Sequence, residues 1–264
     1  MSLRCALALS FVLSGAQAAP PPSTQAAPDC PPRLRIGLVD RETGVWTSSR
    51  DQPPENSRTG KLILAVLQAM GCSAELTQRP LRRLVQELQQ GELDMVVGLG
   101  DSPERLKLLR FPTDAQGAAD VRLALLRVAV VFVARVDKSE HLASSVASGK
   151  LRRLRIGALR GSLSEDWLQE RGLLPQPITD SRRALLMLRK EHIDLLLLNR
   201  AQLPTEALQA APALAEVGEP VAQHHIYAPV SLQLEREHPA FVRRLWLRLC
   251  QASRSVSQDL PPCP

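Results

Sequence analysis

Aromatic residues are scarce in this chain of 264: four Phe, three Trp and one Tyr, 3% in all. Sites that hold sugars or single-stranded bases stack them on aromatic faces, so an extensive site of that kind is not expected. Lysine is also rare, five of the 33 basic residues. The basic residues do not gather on one arm. The densest run, Lys150 to Arg155, is broken by leucines, and Arg82-Arg83, Arg182-Arg183 and Arg243-Arg244 are separate pairs. A net charge of +6 therefore reads as a solvated basic surface, and no nucleic-acid partner is expected. There are five histidines and no His-x-x-x-His. His224 and His225 are adjacent, so in a strand they face opposite ways and cannot easily chelate one metal. Neither a metal nor a cofactor is expected. Catalytic motifs are equally thin: there is no Gly-x-Ser-x-Gly, no phosphate-loop lysine, and Pro103 stands where a dinucleotide loop opened by Gly98-x-Gly100 needs its third glycine.

Hydrophobic residues make up 44% of the chain and charged residues 23%, with Leu, Ile and Val recurring throughout, which excludes a disordered chain. The first residues combine one positive charge at Arg4, an apolar run over Cys5–Leu13 and the Ala16-Gln17-Ala18 ending. Those are the parts of a secretory signal peptide, here residues 1–18, and the run is too short to span a bilayer. No cysteine follows it for lipid attachment, so a soluble, exported product is expected. Residues 19–32 form a Pro-rich leader. Four cysteines then remain, Cys30, Cys72, Cys250 and Cys263, and an even number in an oxidising compartment suggests disulfides. Three pairings are open, and the spacings fit no zinc motif.

From residue 33 the pattern alternates between strands and helices. Strands are expected over Leu34–Val39, Ala74–Thr77, Leu93–Val97, around Ile178 and over Ile193–Leu198, with a long β-rich region over Val121–Val136. Helices are expected over Lys61–Met70, Leu81–Gln90, Ser164–Arg171 (capped by Ser164), Arg182–Glu191 and Pro239–Val256, and a strand over Ser231–Leu234. Strand–helix–strand order implies parallel pairing with right-handed crossovers. The order occurs twice: "RLRIGLV" answers "RLRIGAL", and "GELDMVVGLG" answers "EHIDLLLLNR". Two similar α/β lobes are expected.

These segments, with "LVQELQQGELDMVVGLGDSPERLKLLRFP" and "RLRIGALRGSLSEDWL", resemble the type 2 periplasmic solute-binding proteins, in the branch that binds polar amino acids. The resemblance covers roughly residues 33–256. It implies an α/β, two-lobed periplasmic binding protein-like fold, each lobe a mostly parallel sheet flanked by helices. Residues 33–120 and 227–264 would make lobe 1, and residues 121–226 lobe 2 with two crossing hinge strands, near Asp120–Arg127 and Val221–Tyr227. The ligand would sit between the lobes. Arg105 matches the arginine that forks onto a ligand carboxylate. Gly98, Gly100 and Asp101 would line the same site; Asp101 would either meet a ligand amine or cap the turn. Arg160, Gly161 and Ser162 match a turn whose amides suit an anion. Asn199 stands where amino-acid binders carry an aspartate for the α-ammonium. Asp40 and Trp46 lie in the loop that usually supplies an aromatic wall; Trp167 and Trp246 read as packing residues.

The resemblance implies a periplasmic, monomeric receptor that takes a small polar or carboxylated solute for an inner-membrane permease of the ABC type. It implies binding with hinge closure, not bond chemistry. Two alternatives stand beside it. One is an enzyme on the same fold, such as a small-acid dehydratase, with Asp101 or Glu104 as the general acid or base. The other is a ligand-free accessory or sensory domain, associated for example with a periplasmic oxidoreductase.

Overall fold

A computed structural model describes residues 30–39, 52–203, 208–255 and 259–264. The proposed signal peptide and most of the leader lie outside them, as do Asp40 and Trp46. No helix among the described residues is long and apolar enough to cross a membrane.

The first body is a three-stranded parallel sheet in the order β2-β1-β3, from Ala74–Gln78, Leu34–Leu38 and Met95–Val97. Helix α1 (Arg58–Ala69) starts earlier than its apolar periodicity indicates, because the Ser57 hydroxyl caps it by accepting from Gly60 N at 2.9 Å. Helix α2 spans Leu81–Gln89. Leu34, Ile36 and Leu38 point to one side, against Ile63 and Leu67 of α1 and the long helix α8 (Pro239–Arg254). Leu84 and Leu88 of α2 pack with Val96 on the other side. Alternate residues of one strand thus feed two cores, as a covered parallel sheet requires. On α8, Phe241, Leu245 and Leu249 are fully buried, each contributing roughly 1.5–3 kcal/mol.

The second sheet runs β4-β9-β5-β8-β6-β7. Strands β6 (Ile156–Leu159), β7 (Gln176–Ile178) and β8 (Leu195–Asn199) are mutually parallel. They are extended by antiparallel β5 (Leu126–Arg135) and β9 (Leu214–Tyr227), with two-residue β4 (Leu99–Gly100) at the edge. This sheet is therefore mixed, because β5 runs against β8 and β9 in turn runs against β5. Helices α5 (Leu163–Glu170) and α6 (Ser181–Arg189) cover opposite faces, Leu168 packing with Phe132 and Leu197, and Leu185 and Leu188 with Val131 and Leu198. Trp167 meets Phe132 edge-on, with Arg171 stacked 3.8 Å over its ring, and Trp246 Nε1 donates to Ala228 O at 2.8 Å. Both tryptophans serve packing. The start of β5 and the end of β9 pair with each other (Leu126↔Ile226), and the chain just past β9 runs beside β3, where Val96 N donates to Pro229 O at 3.0 Å. These strands join the two bodies.

The repeated sequence words become repeated geometry. In the first body Arg35 N donates to Asp94 Oδ2 at 2.7 Å, and its guanidinium holds both carboxylate oxygens at 3.1 and 2.8 Å. In the second, Arg155 does the same with Asp194 at 2.8, 3.1 and 2.6 Å. Two residues on, Gly37 and Gly157 leave no room for a Cβ. An added carbon would stand 2.6 Å from Leu84 and 2.9 Å from Leu93 in one case, and 2.8 Å from both Ile178 and Ile193 in the other.

Three local expectations are corrected, all at helix starts. Ser231–Leu234 is not a strand: Ser231 caps helix α7 (Leu232–Glu237), accepting from Leu234 N at 3.0 Å. Ser162, not Ser164, caps α5, and Ser102, not Asp101, caps helix α3 (Pro103–Leu108). The β-rich stretch also ends at Arg135, where helix α4 (Val136–Ala147) begins with only Leu142 buried, so its residues carry little apolar periodicity. The cysteines pair as Cys30–Cys72 and Cys250–Cys263.

Candidate functional site

Where β3 turns into β4, Gly98 adopts φ +104°, a conformation that favours glycine, and its N–H donates to Tyr227 O at 3.0 Å. This turn, the α3 N-terminus, the turn between β6 and α5, and the ends of β8 and β9 meet around one cavity of about 50 Å³. Of the residues that the sequence nominates, Gly98, Gly100, Arg105, Ser162 and Asn199 line it. Gly161 touches it through its carbonyl contact with Arg105. Asp101 stands at the edge, near enough for its charge to act on His224 and His225. The Arg160 side chain lies elsewhere, in a surface groove beside Arg82 and Arg83 of α2.

Arg105 is the chemical centre. It is 8% exposed, and its Nη1 donates to Gly100 O at 2.8 Å while Nη2 donates to Gly161 O at 2.5 Å. The second bond ties α3 to the β6–α5 turn of the other body. Among the described residues, no carboxylate forms an ion pair with Arg105. Burial pushes its pKa down, opposed by the charges of Asp166, Glu104 and Asp101. Burial likewise pushes the half-buried Asp166 carboxyl up, with Arg105 working against it. A cation so enclosed, neutralised only at a distance, is disposed to accept an anion.

The turn at Gly161 is less open than its sequence indicates. Its N–H donates to Glu165 Oε2 at 2.6 Å, Ser162 N donates to Leu159 O at 3.0 Å, and Ser162 Oγ is engaged as the α5 cap. Asn199 Oδ1 accepts from Ala201 N at 2.9 Å, capping a short 3₁₀ turn. The two bodies approach closely here. A Cβ on Gly161, at φ +74°, would lie 3.3 Å from Arg82 Cβ, and one on Gly100 would lie 2.5 Å from Leu163 Cδ1. Leu163 therefore occupies much of the space between the turns. About 50 Å³ holds a few waters, well below the ~300 Å³ at the lower end of pockets for drug-sized ligands. A solute larger than a carboxyl group enters only if the bodies separate.

Sequence reasoning missed Leu163, Gln202 and His224 in this lining. Leu163 looks like an ordinary first helical residue. His224 faces the cavity because its partner on β5, Val128, does, while Arg127 and His225 share the other face.

No protein-family model and no curated protein sequence matches the chain. Solved structures do. A Salmonella typhimurium periplasmic binding protein of high arginine specificity aligns at TM-score 0.64 and 15% identity, over 84% of this chain and 93% of that one. A histidine kinase sensor domain with similarity to periplasmic binding proteins aligns at 0.63 and 17%, over 88% and 98%. The ancestral amino-acid-binding protein AncCDT-1, a precursor of cyclohexadienyl dehydratase, aligns at 0.63 and 14%, over 86% and 90%. The chain has the two-lobed fold of type 2 periplasmic binding proteins; at these identities the likeness is one of fold.

Proposed function

We propose that this chain is a periplasmic solute-binding protein that captures a small carboxylated, amino-acid-like solute between its two lobes. The observation that carries this reading is Arg105: a buried guanidinium between the bodies, held by two carbonyls and with no carboxylate ion pair among the described residues. A carboxylate accepts more strongly from a guanidinium than a carbonyl does, so a ligand can replace the Gly161 contact. Gly98 and Gly100 line the cavity beside it, and Asp101 and Asp166 place negative charge nearby for an α-ammonium. Asn199 would contribute its amide. The role is binding with hinge closure rather than bond chemistry. An inner-membrane permease of the ABC type would receive the solute from a monomeric receptor, as the resemblance implies. The fold neighbours that bind amino acids support the solute class.

Thermal shift of the full chain against amino and carboxylic acids tests this. At least one compound should raise Tm, and Arg105→Ala should abolish the rise. The filled cleft favours one second reading, an accessory or sensory domain that works without a ligand, with Leu163 as a permanent plug. The fold of the histidine kinase sensor domain is consistent with it. If no compound stabilises the wild type or Leu163→Ala, the second reading replaces the first.

A further inference from the structure

His224 sits on β9, paired with Val128 of β5, and lines the cavity that contains Arg105. Its Nε2 is buried and, among the described residues, has no hydrogen-bond partner. An orphaned polar atom at a cavity wall is costly unless something fills the cavity and bonds to it. Arg105 brings guanidinium N–H groups to the same space. Both side chains can donate to one group, and the cavity of about 50 Å³ has the scale of a carboxyl head.

We propose that His224 is a second ligand-binding residue: its protonated Nε2 donates to one oxygen of a solute carboxylate while Arg105 holds the other. This rests on the solute-capture reading and adds to it a carboxylate-specific, acid-favoured grip. The groups around the imidazole set its titration. Burial disfavours its proton, and Arg105 and His225 act in the same direction. Asp101 at the α3 N-terminus and Glu170 of α5 favour it. The β5 side presents Val128 and Val130, which carry no charge. An incoming carboxylate adds a partner for the charged form and draws a proton onto His224, so affinity rises as pH falls through the histidine range.

Acetate and glycine serve as probes, titrated calorimetrically into the full chain between pH 5.5 and 7.5. Wild type should bind at least one of them about tenfold more tightly at the acid end, which corresponds to one proton taken up across one pK unit. In His224→Gln, which keeps an amide donor without a titrating proton, the pH dependence should vanish. His224→Asn checks that this is not a fault of one variant, and a thermal scan confirms that each is folded. Arg105→Lys should bind weakly but keep the slope. The proposal is overturned if both histidine variants bind with the wild-type slope. If wild type binds neither probe at any pH, the carboxylate grip of His224 is overturned, while solute capture stands or falls on the thermal-shift screen.

Discussion

The two lobes are built on one local plan and secured in different ways. Each has an Arg-x-Gly where a strand begins and an Asp just before a parallel neighbour, and in each the arginine grips the aspartate through its backbone N–H and its guanidinium. The glycine between them lets aliphatic side chains close over the strand. Beyond that, the lobes diverge. The first carries both disulfides, one tying the entry to β1 to the α1–β2 turn and one tying α8 to the C-terminal segment. The second has no cysteine in its sequence and instead has a wider sheet, with β5 and β9 adding ten- and fourteen-residue strands. The disulfides of the first lobe fasten segments that lie outside its three-stranded sheet, the entry to β1 and the C-terminal segment.

The disulfides offer the sharpest way to break this symmetry. Loops of 42 and 13 residues imply losses of about 4 and 3 kcal/mol when Cys30–Cys72 and Cys250–Cys263 are replaced by alanine. Hydrogen exchange should show β1 and β3 amides losing protection while β6 and β8 amides keep theirs. Equal loss in both lobes would mean that they unfold as one unit.

The paired glycines come next. Gly37→Ala and Gly157→Ala should each cost about 1–3 kcal/mol by overpacking, measured by urea denaturation. A cost at one position alone would show that the repeat is a likeness of words rather than of packing.

The arginine clasps are the smallest effect, because their arginine side chains are about half exposed. Asp94→Asn and Asp194→Asn should each cost about 1 kcal/mol or less. The Arg155 guanidinium holds the Asp194 carboxyl below the usual carboxylate range. Its stabilisation is therefore present above the ordinary carboxylate pKa near 3.8 and is lost as pH falls through the lower, folded value. Asp194→Asn should accordingly flatten the acid limb of a stability-versus-pH curve.

The strands and helices of both lobes were legible because their apolar periodicity is strong: Leu34, Ile36 and Leu38 alternate, and Leu84 and Leu88 recur at helical spacing. The repeated words marked where the two halves correspond, while the arginine–aspartate clasps within them emerged only from the structure. Helix starts were less legible, since Ser102, Ser162 and Ser231 compete with equally plausible neighbours for one capping bond. Helix α4 was missed because it buries a single leucine. At the site, Arg105 and the glycines before it were readable from their motif. His224 was not, because its facing depends on where β9 crosses beside β5.

The amino-acid sequence by itself determined the repeated α/β order and the scarcity of aromatic residues, and it carried the motif that nominated Arg105. Those follow from patterns a few residues long. Only the tertiary structure decided which cysteines pair, that Gly161 and Gly100 share the Arg105 guanidinium, that Leu163 fills the space between the lobes, and that His224 faces it. Each of these depends on residues far apart in the chain meeting at a distance of a few ångströms, which no local pattern encodes.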